Sequence, residues 1–153
     1  MSNRDVEAVL RLNEESVAML APMDADRLTL LRSFVSHALI VEAESAIAGF
    51  ALAFAPGTAY DSINYAWHAE RFADFLYLDR IAVSHAFRRR GVASLLYDEM
   101  EARAGRHGRM VLEVNSRPAN EPSLAFHRRR GYREIGHLVQ ADGKETVMME
   151  KPL

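Results

Sequence analysis

The stretch Phe75 to Val83 (FLYLDRIAV) is apolar at odd and even positions alike except for Asp79 and Arg80, and a basic turn, Arg88-Arg89-Arg90-Gly91, follows it closely. A strand that is apolar on both faces has to be covered on both sides. That requirement confines the chain to a layered α/β (α+β) fold in which helices pack on each face of a sheet. With 153 residues, 49% of them apolar and 26% charged, the chain can bury such a sheet within one domain, 1–153. No repeat, low-complexity tract or Pro/Gly/Ser linker divides it.

The other elements follow from periodicity and caps. Val6 to Asn13 alternates as a first strand would, and Glu14 to Ser36, with Leu28, Leu31 and Val35 at helical spacing, reads as one or two helices. Leu39 to Val41 and Ile47 to Phe54, separated by Glu42 to Ser45, form a hairpin, with a bulge expected at Gly49. Residues 56–73 are polar, aromatic and poorly periodic, which reads as a long loop of the kind that belongs to a site. Gly91 to His107 is a helix with Val92, Leu95, Leu96 and Met100 inward, and Met110 to Asn115 is a strand. Glu121 to Arg130 is a helix capped by Asn120 and ended by Gly131, and residues 132–139 and 145–151 close the sheet as antiparallel strands. The expected order is β-α-α-β-β-β-α-β-α-β-β, a mixed, mostly antiparallel sheet of about seven strands.

Composition narrows the function. The chain has no cysteine, so thiolate-bound zinc and an acyl-cysteine intermediate are excluded, and no metal site is expected. The longest apolar stretch, Ala46 to Ala55, is about half of the roughly 20 residues that a membrane-spanning helix needs. The start MSNRDVEAVL lacks a basic patch followed by an apolar core, so a cytoplasmic location is the default expectation. A formal charge of −2 makes the domain a poor match for a polyanion, although 17 of its 19 basic residues are arginine, and Arg88–Arg90 and Arg128–Arg130 are runs of three. No nucleic-acid motif accompanies them.

The sequence of buried strand, glycine-containing basic turn and long helix aims unsatisfied amides and the positive helix end at one spot, a ready anion site. It is neither a Walker A loop nor a GxGxxG fingerprint. Taken alone it reads equally well as a solvated turn before an ordinary helix.

Two motifs in the right order make the reading specific. Arg88-Arg89-Arg90-Gly91-Val92-Ala93 resembles the [QR]-x-x-G-x-[GA] pyrophosphate loop of the Gcn5-related N-acetyltransferase (GNAT) superfamily. Asn120 to Tyr132 (NEPSLAFHRRRGY) resembles the second motif of that superfamily, N-x-x-[AS]-x-x-[FL]-[YH]-x-[KR]-x-G-[FY]. The combination of YDSxNY, FLYLDRIAV, EVN and SLAFH is similar to a bacterial group of predicted acetyltransferases. The resemblance implies the GNAT fold and transfer of an acetyl group from acetyl-coenzyme A directly to a primary amine of a small molecule or peptide, with no covalent acyl-enzyme. It implies that backbone groups of Ile81, Ala82 and Val83 pair with the pantetheine arm as an added strand would. Likewise the amides from Arg89 through Arg90, Gly91, Val92 and Ala93 to Ser94 would hold the pyrophosphate beside the arginine heads, and Asn120 and Ser123 would face the pantetheine.

Direct transfer needs a neutral amine, a polarised carbonyl and a proton for the leaving thiolate. By the resemblance, an N–H near Val83 polarises the carbonyl, and His127 stands where the superfamily most often places a tyrosine acid. Asn120, Ser123 and His127 share one helix face by i, i+3, i+7 spacing. His127 is therefore either the proton relay or a packing histidine. Glu113 interrupts an otherwise apolar strand and is either the general base or an ion-pair partner of Arg80 or Arg117. Asp79 could bind the ammonium or orient a water, or pair with a nearby arginine. Tyr60, Asp61, Asn64, Tyr65, Trp67, His68 and Tyr77 either line an acceptor pocket suited to an amine with an apolar body or anchor the long loop. The stretch LEVNSRPAN also resembles ribosomal-protein N-terminal acetyltransferases, except that Glu113 and Asn120 stand two residues further apart than the equivalent pair there. The competing reading is a CoA-binding sensor without catalysis. The closing antiparallel strands leave room for a homodimer.

Overall fold

The computed structural model of the protein describes residues 1–141 and 143–153. Among the described residues five α-helices and six strands follow in the order α1 (Val6–Glu15), α2 (Ala25–Phe34), β1 (His37–Ala43), β2 (Ala46–Phe54), α3 (Ile63–Ala69), β3 (Leu76–Val83), α4 (Val92–Ala104), β4 (Arg109–Arg117), α5 (Glu121–Arg129), β5 (Arg133–Val139) and β6 (Glu145–Pro152). The strands form one sheet in the order β1-β2-β3-β4-β6-β5, antiparallel throughout except between β3 and β4. Helices α4 and α5 pack on one face and α1, α2 and α3 on the other, each over its own cluster of buried apolar side chains.

The sheet has six strands, not seven, because residues 6–15 are helical. Val9, Leu12 and Asn13 are buried at i, i+3, i+4, and Val6 and Leu10 flank them against the same core, so the alternation of Val6, Ala8, Leu10 and Leu12 is one side of a helical stripe. A capping box between Ser2 and Asp5 starts the preceding 3₁₀ turn. The inward face of α4 also differs from the expected one: Tyr97 is buried, whereas Leu95 is 57% exposed. Part of the long loop is helical, since Ser62 accepts from the Tyr65 amide and caps α3.

Gly49 does not carry the bulge expected of it. Val41 faces Gly49 and Glu42 faces Ile47, which leaves Ala48 unopposed one position earlier. Gly49 is instead a point of close approach. A Cβ there would lie 2.9 Å from the Ala82 carbonyl oxygen and 3.0 Å from Val92 Cγ1, so the glycine lets β3 and the start of α4 settle on β2.

The feature that opens the site is the seam between β3 and β4. Only Leu76↔Met110 and Tyr77↔Val111 pair across it. Immediately beyond, Leu52 faces Arg80 while Ala53 faces Leu78, so Asp79 is the extra residue of a bulge on β3. A bulge bends its strand and steepens the twist. From Leu78 onward β3 follows β2, β4 follows β6, and a cleft separates them.

Of the second arginine run only Arg130 is partly buried, and Arg128 and Arg129 are exposed. Arg130 donates to Glu101 and Asp98, Lys151 and Tyr132 also donate to the buried Glu101, and Arg128 donates to Glu134. These bonds tie the end of α5 to α4 and to β5, and α4 to β6.

Candidate active site

Two neighbouring cavities with shared lining residues lie along the seam and at the start of α4. The larger, of about 710 Å³, runs between β3 and β4 and is lined on one side by Tyr97, Asn120, Ser123 and His127, and on the other by the α1–α2 connection and the residues leading into α3. The smaller, of about 230 Å³, sits at the start of α4 and is lined by Arg88, Arg89, Gly91, Val92, Ala93, Ser94 and Phe126. Val83 and Arg88 line both.

The smaller cavity has the makings of an anion site. Arg89 and Gly91 take positive φ values of 61° and 83°, turning the chain so that α4 begins directly beneath the cavity. The amides of Val92, Ala93 and Ser94 occupy its first turn, where no helical carbonyl can reach them. No atom lies within 4 Å of a Cβ built on Gly91, so the backbone there is open to a ligand. All three arginines of the turn are exposed, and Arg90 is drawn aside to Glu44 in the β1–β2 turn with its guanidinium over the Phe87 ring.

Along β3 the ladder alternates. Ser84 donates to Ala48 of β2 and the Ala82 carbonyl also faces β2, so the backbone groups of Ile81 and Val83 point into the seam. Of the three residues expected to pair with a pantetheine arm, Ile81 and Val83 turn their backbone groups into the seam and Ala82 turns its own toward β2.

On α5, the Asn120 side chain accepts from the Ser123 amide at 3.3 Å and caps the helix. His127 is 4% exposed. Its Nδ1 lies 2.7 Å from the Ser123 carbonyl and must carry a proton there, so its Nε2, 2.5 Å from the Tyr97 hydroxyl, accepts. Burial pulls its pKa down to about 4 and keeps the ring neutral. Burial also raises the Tyr97 hydroxyl. Tyr97 is the site residue that sequence reasoning missed. The signal for it is its place five residues after Val92, on the stripe that continues through Met100 and Ala104.

On the acceptor side, Glu113 accepts from Asn64 Nδ2 at 2.8 Å and from the Tyr77 hydroxyl at 2.9 Å. Burial, reinforced by the negative charge of Asp79, pushes its pKa up to about 7, against the pull of its hydrogen bonds and of the Lys144 charge. Arg80, one of the ion-pair partners expected for it, is engaged elsewhere: its Nε donates to Asp79 at 3.0 Å, and its Nη1 to Asn13 and to the Ala21 carbonyl. Asp79 uses its other oxygen to accept from Tyr60 at 2.6 Å, and burial raises its pKa as well. Arg80 thus fastens the α1–α2 connection to the bulge, a role with no signal in the sequence.

Tyr60, Asp61 and Asn64 line the larger cavity, whereas Tyr65 and Tyr77 lie beneath it in the core. Tyr65 donates to the Ala55 carbonyl and accepts from the Thr58 amide, which anchors the loop. Asp61 receives both arms of Arg27, at 2.9 and 2.5 Å. His68 is fully buried and neither ring nitrogen has a hydrogen-bond partner, the Leu112 backbone being near but short of one. Trp67 packs against Gly136 of β5 under the Arg71 guanidinium. Among the described residues no group of three metal-ligating side chains converges, and no helix is long and apolar enough to cross a membrane.

Known structures share this architecture. Ard1 from Thermoplasma volcanium superposes with a TM-score of 0.79 at 18% identity, over 100% of this chain and 94% of that one. A ribosomal-protein-alanine N-acetyltransferase from Brucella melitensis gives 0.71 at 21% identity, over 100% and 97%. Naa20 from Chaetomium thermophilum, solved with a bisubstrate analogue, gives 0.76 at 16% identity, over 100% and 84%. At such identities the likeness is one of fold. No curated protein matches the chain in sequence. The family model described as "Acetyltransferase (GNAT) family" matches residues 6–132, which include the α4 turn, the seam and α5. The chain belongs to the GNAT acetyltransferase family and is an enzyme of the acetyl-CoA-dependent acyltransferase class.

Proposed function

We propose that this enzyme acetylates a primary amine by direct transfer, with Glu113 as the general base. The observation that carries the reading is the position of Glu113: a half-buried carboxylate held by Tyr77 and Asn64 where β3 and β4 part, on the wall of a cleft that opens toward both the α4 turn and the α3 loop. The residues present fit acetyl-CoA. Ile81 and Val83 offer an unpaired backbone edge, the first turn of α4 offers free amides, and the space at Gly91 is open. When bound, acetyl-CoA supplies an acetyl thioester whose carbonyl carbon bonds to the amine as the carbon–sulfur bond breaks.

The chain's own work is to hold and to move protons. Amines reach the site as ammonium ions, and a carboxylate whose pKa is about 7 can accept a proton there near neutral pH and return it to solvent. The backbone N–H of Val83, pointing into the seam, is placed to polarise the acyl oxygen. For the leaving sulfur we assign the Tyr97–His127 pair rather than the imidazole alone. The His127 Nδ1 proton is committed to Ser123, so the mobile proton of the pair is the one shared by the Tyr97 oxygen and Nε2. Asp79, with both oxygens occupied by Tyr60 and Arg80, shapes the acceptor wall and raises the pKa of Glu113.

An amine panel that follows release of free CoA tests the reading. Intersecting initial-rate lines are expected, without any acetylated enzyme. Glu113→Gln should lower kcat/KM at pH 7 by roughly 10²-fold or more. Tyr97→Phe should lower kcat more than KM. Parallel lines, or a Glu113→Gln enzyme with unchanged rates, would contradict the assignment.

A further inference from the structure

The proposed reaction leaves the rim of the acceptor mouth unexplained. Six large apolar side chains are notably exposed among the described residues, and two of them, Met19 at 44% and Ile63 at 53%, line the larger cavity. They come from different elements, the α1–α2 connection and the first position of α3, and Ala18, Leu20 and Pro22 extend the apolar wall beside Met19. One exposed apolar residue needs no explanation, but two that border one cleft above the half-buried carboxylate of Glu113 form a receptor for something apolar that carries a cation.

The charges at the same mouth restrict that ligand further. Arg27 has both arms on Asp61, and Arg80 is divided among Asp79, Asn13 and the Ala21 carbonyl, so neither guanidinium has a fork open to a substrate carboxylate. Glu15, Asp61, Asp79 and Glu113 line the cavity together with the cations Arg27, Arg80, Arg88 and Lys144, of which Arg88 stands at the α4 end. A carboxylate next to the reacting amine would be set against Glu113, while the guanidiniums of Arg27 and Arg80 are already engaged by Asp61 and Asp79. Lys144 also lines the cavity, and its charge bears on Glu113, easing that residue's ionisation.

From these features, and resting on the assignment of Glu113 as base, we infer that the acceptor is a primary amine on an apolar carbon skeleton with no carboxylate beside the amine. An alkyl- or arylalkylamine has this chemistry, and so does the N-terminus of a peptide that begins with an apolar residue. Met19 and Ile63 are the specificity-determining side chains.

The test uses the whole enzyme with acetyl-CoA and measures kcat/KM for phenylethylamine, leucinamide, a leucine-first tripeptide, glycinamide, free leucine, an aspartate-first tripeptide and spermidine. Leucinamide should exceed leucine and spermidine by about tenfold or more, the scale on which a pocket resolves one or two interactions. The tripeptide and phenylethylamine arms separate a peptide acceptor from a small-molecule one. Met19→Gln and Ile63→Asn, both at exposed positions that fold readily, should cost leucinamide about tenfold more than they cost glycinamide. Preference for leucine or spermidine over leucinamide would overturn the inference while leaving amine acetylation standing, as would equal losses for the two amides. No turnover of any of these amines would overturn both.

Discussion

The Tyr77 hydroxyl lies 2.9 Å from one carboxylate oxygen of Glu113 and 3.1 Å from the other, so a phenol buried in the sheet shares its single proton across the whole carboxylate. The bond favours the ionised form and opposes the burial that pushes the Glu113 pKa up to about 7. Tyr77→Phe should therefore move the acid limb of the kcat/KM profile upward by roughly one pH unit, with a several-fold loss at pH 6.5 that recovers by pH 9. A limb that stays in place would separate Tyr77 from the base.

The same burial makes Glu113 a liability to folding. Its folded pKa of about 7 lies above the unfolded carboxylate value, so the native state binds more protons between those two values and stability falls as pH rises through that window. Glu113→Gln removes the ionisation and should be more stable than the parent at pH 8 by on the order of 2–3 kcal/mol, because each tenfold difference in proton affinity between the folded and unfolded chain is worth about 1.4 kcal/mol. The gap should close near pH 4.5. Thermal melts across that range measure it.

His68 and His127 act at the acid end. Burial pulls each pKa down to about 4, below the unfolded value, so the unfolded chain binds more protons between about 4 and 6.5 and stability is lost as pH falls through that window. His68→Leu should make the fold less sensitive to acid, by up to about 3 kcal/mol at pH 4.5 relative to its effect at pH 7.5. Equal melting shifts at both pH values would refute the prediction.

Gly49→Ala inserts a methyl group 2.9 Å from the Ala82 carbonyl oxygen, a backbone atom that cannot turn aside. A stability loss of about 1–3 kcal/mol is expected. Because the displaced strand carries Val83, KM for acetyl-CoA should rise more than KM for the amine. Initial rates with each substrate varied separately check this.

Much of the fold is legible because strands apolar on both faces, a capped basic turn and a pair of motifs impose their own order. The α4 turn, the Asn120 cap and the closing strands lie where periodicity and capping put them. Residues 6–13 read as a strand because Val6, Ala8, Leu10 and Leu12 satisfy a period of two as readily as one side of a helix, and only tertiary packing of Val9, Leu12 and Asn13 decides between them. Leu95 and Tyr97 exchange roles for a related reason: the spacing of apolar residues sets the helical period, but its phase depends on where the sheet lies. In the site, Glu113 and Asp79 stand out as charges among apolar neighbours. Apart from Arg80, which is the next residue after Asp79, their partners do not, because Tyr60, Tyr77 and Asn64 meet them across 19, 36 and 49 residues of sequence that no local pattern spans.

The two rungs that join β3 to β4 leave the molecule as two three-stranded halves with little direct stitching between them. On the proposed reading the acyl donor lies along Ile81 and Val83 and completes a missing course of that fabric, so its binding should raise the enzyme's resistance to heat.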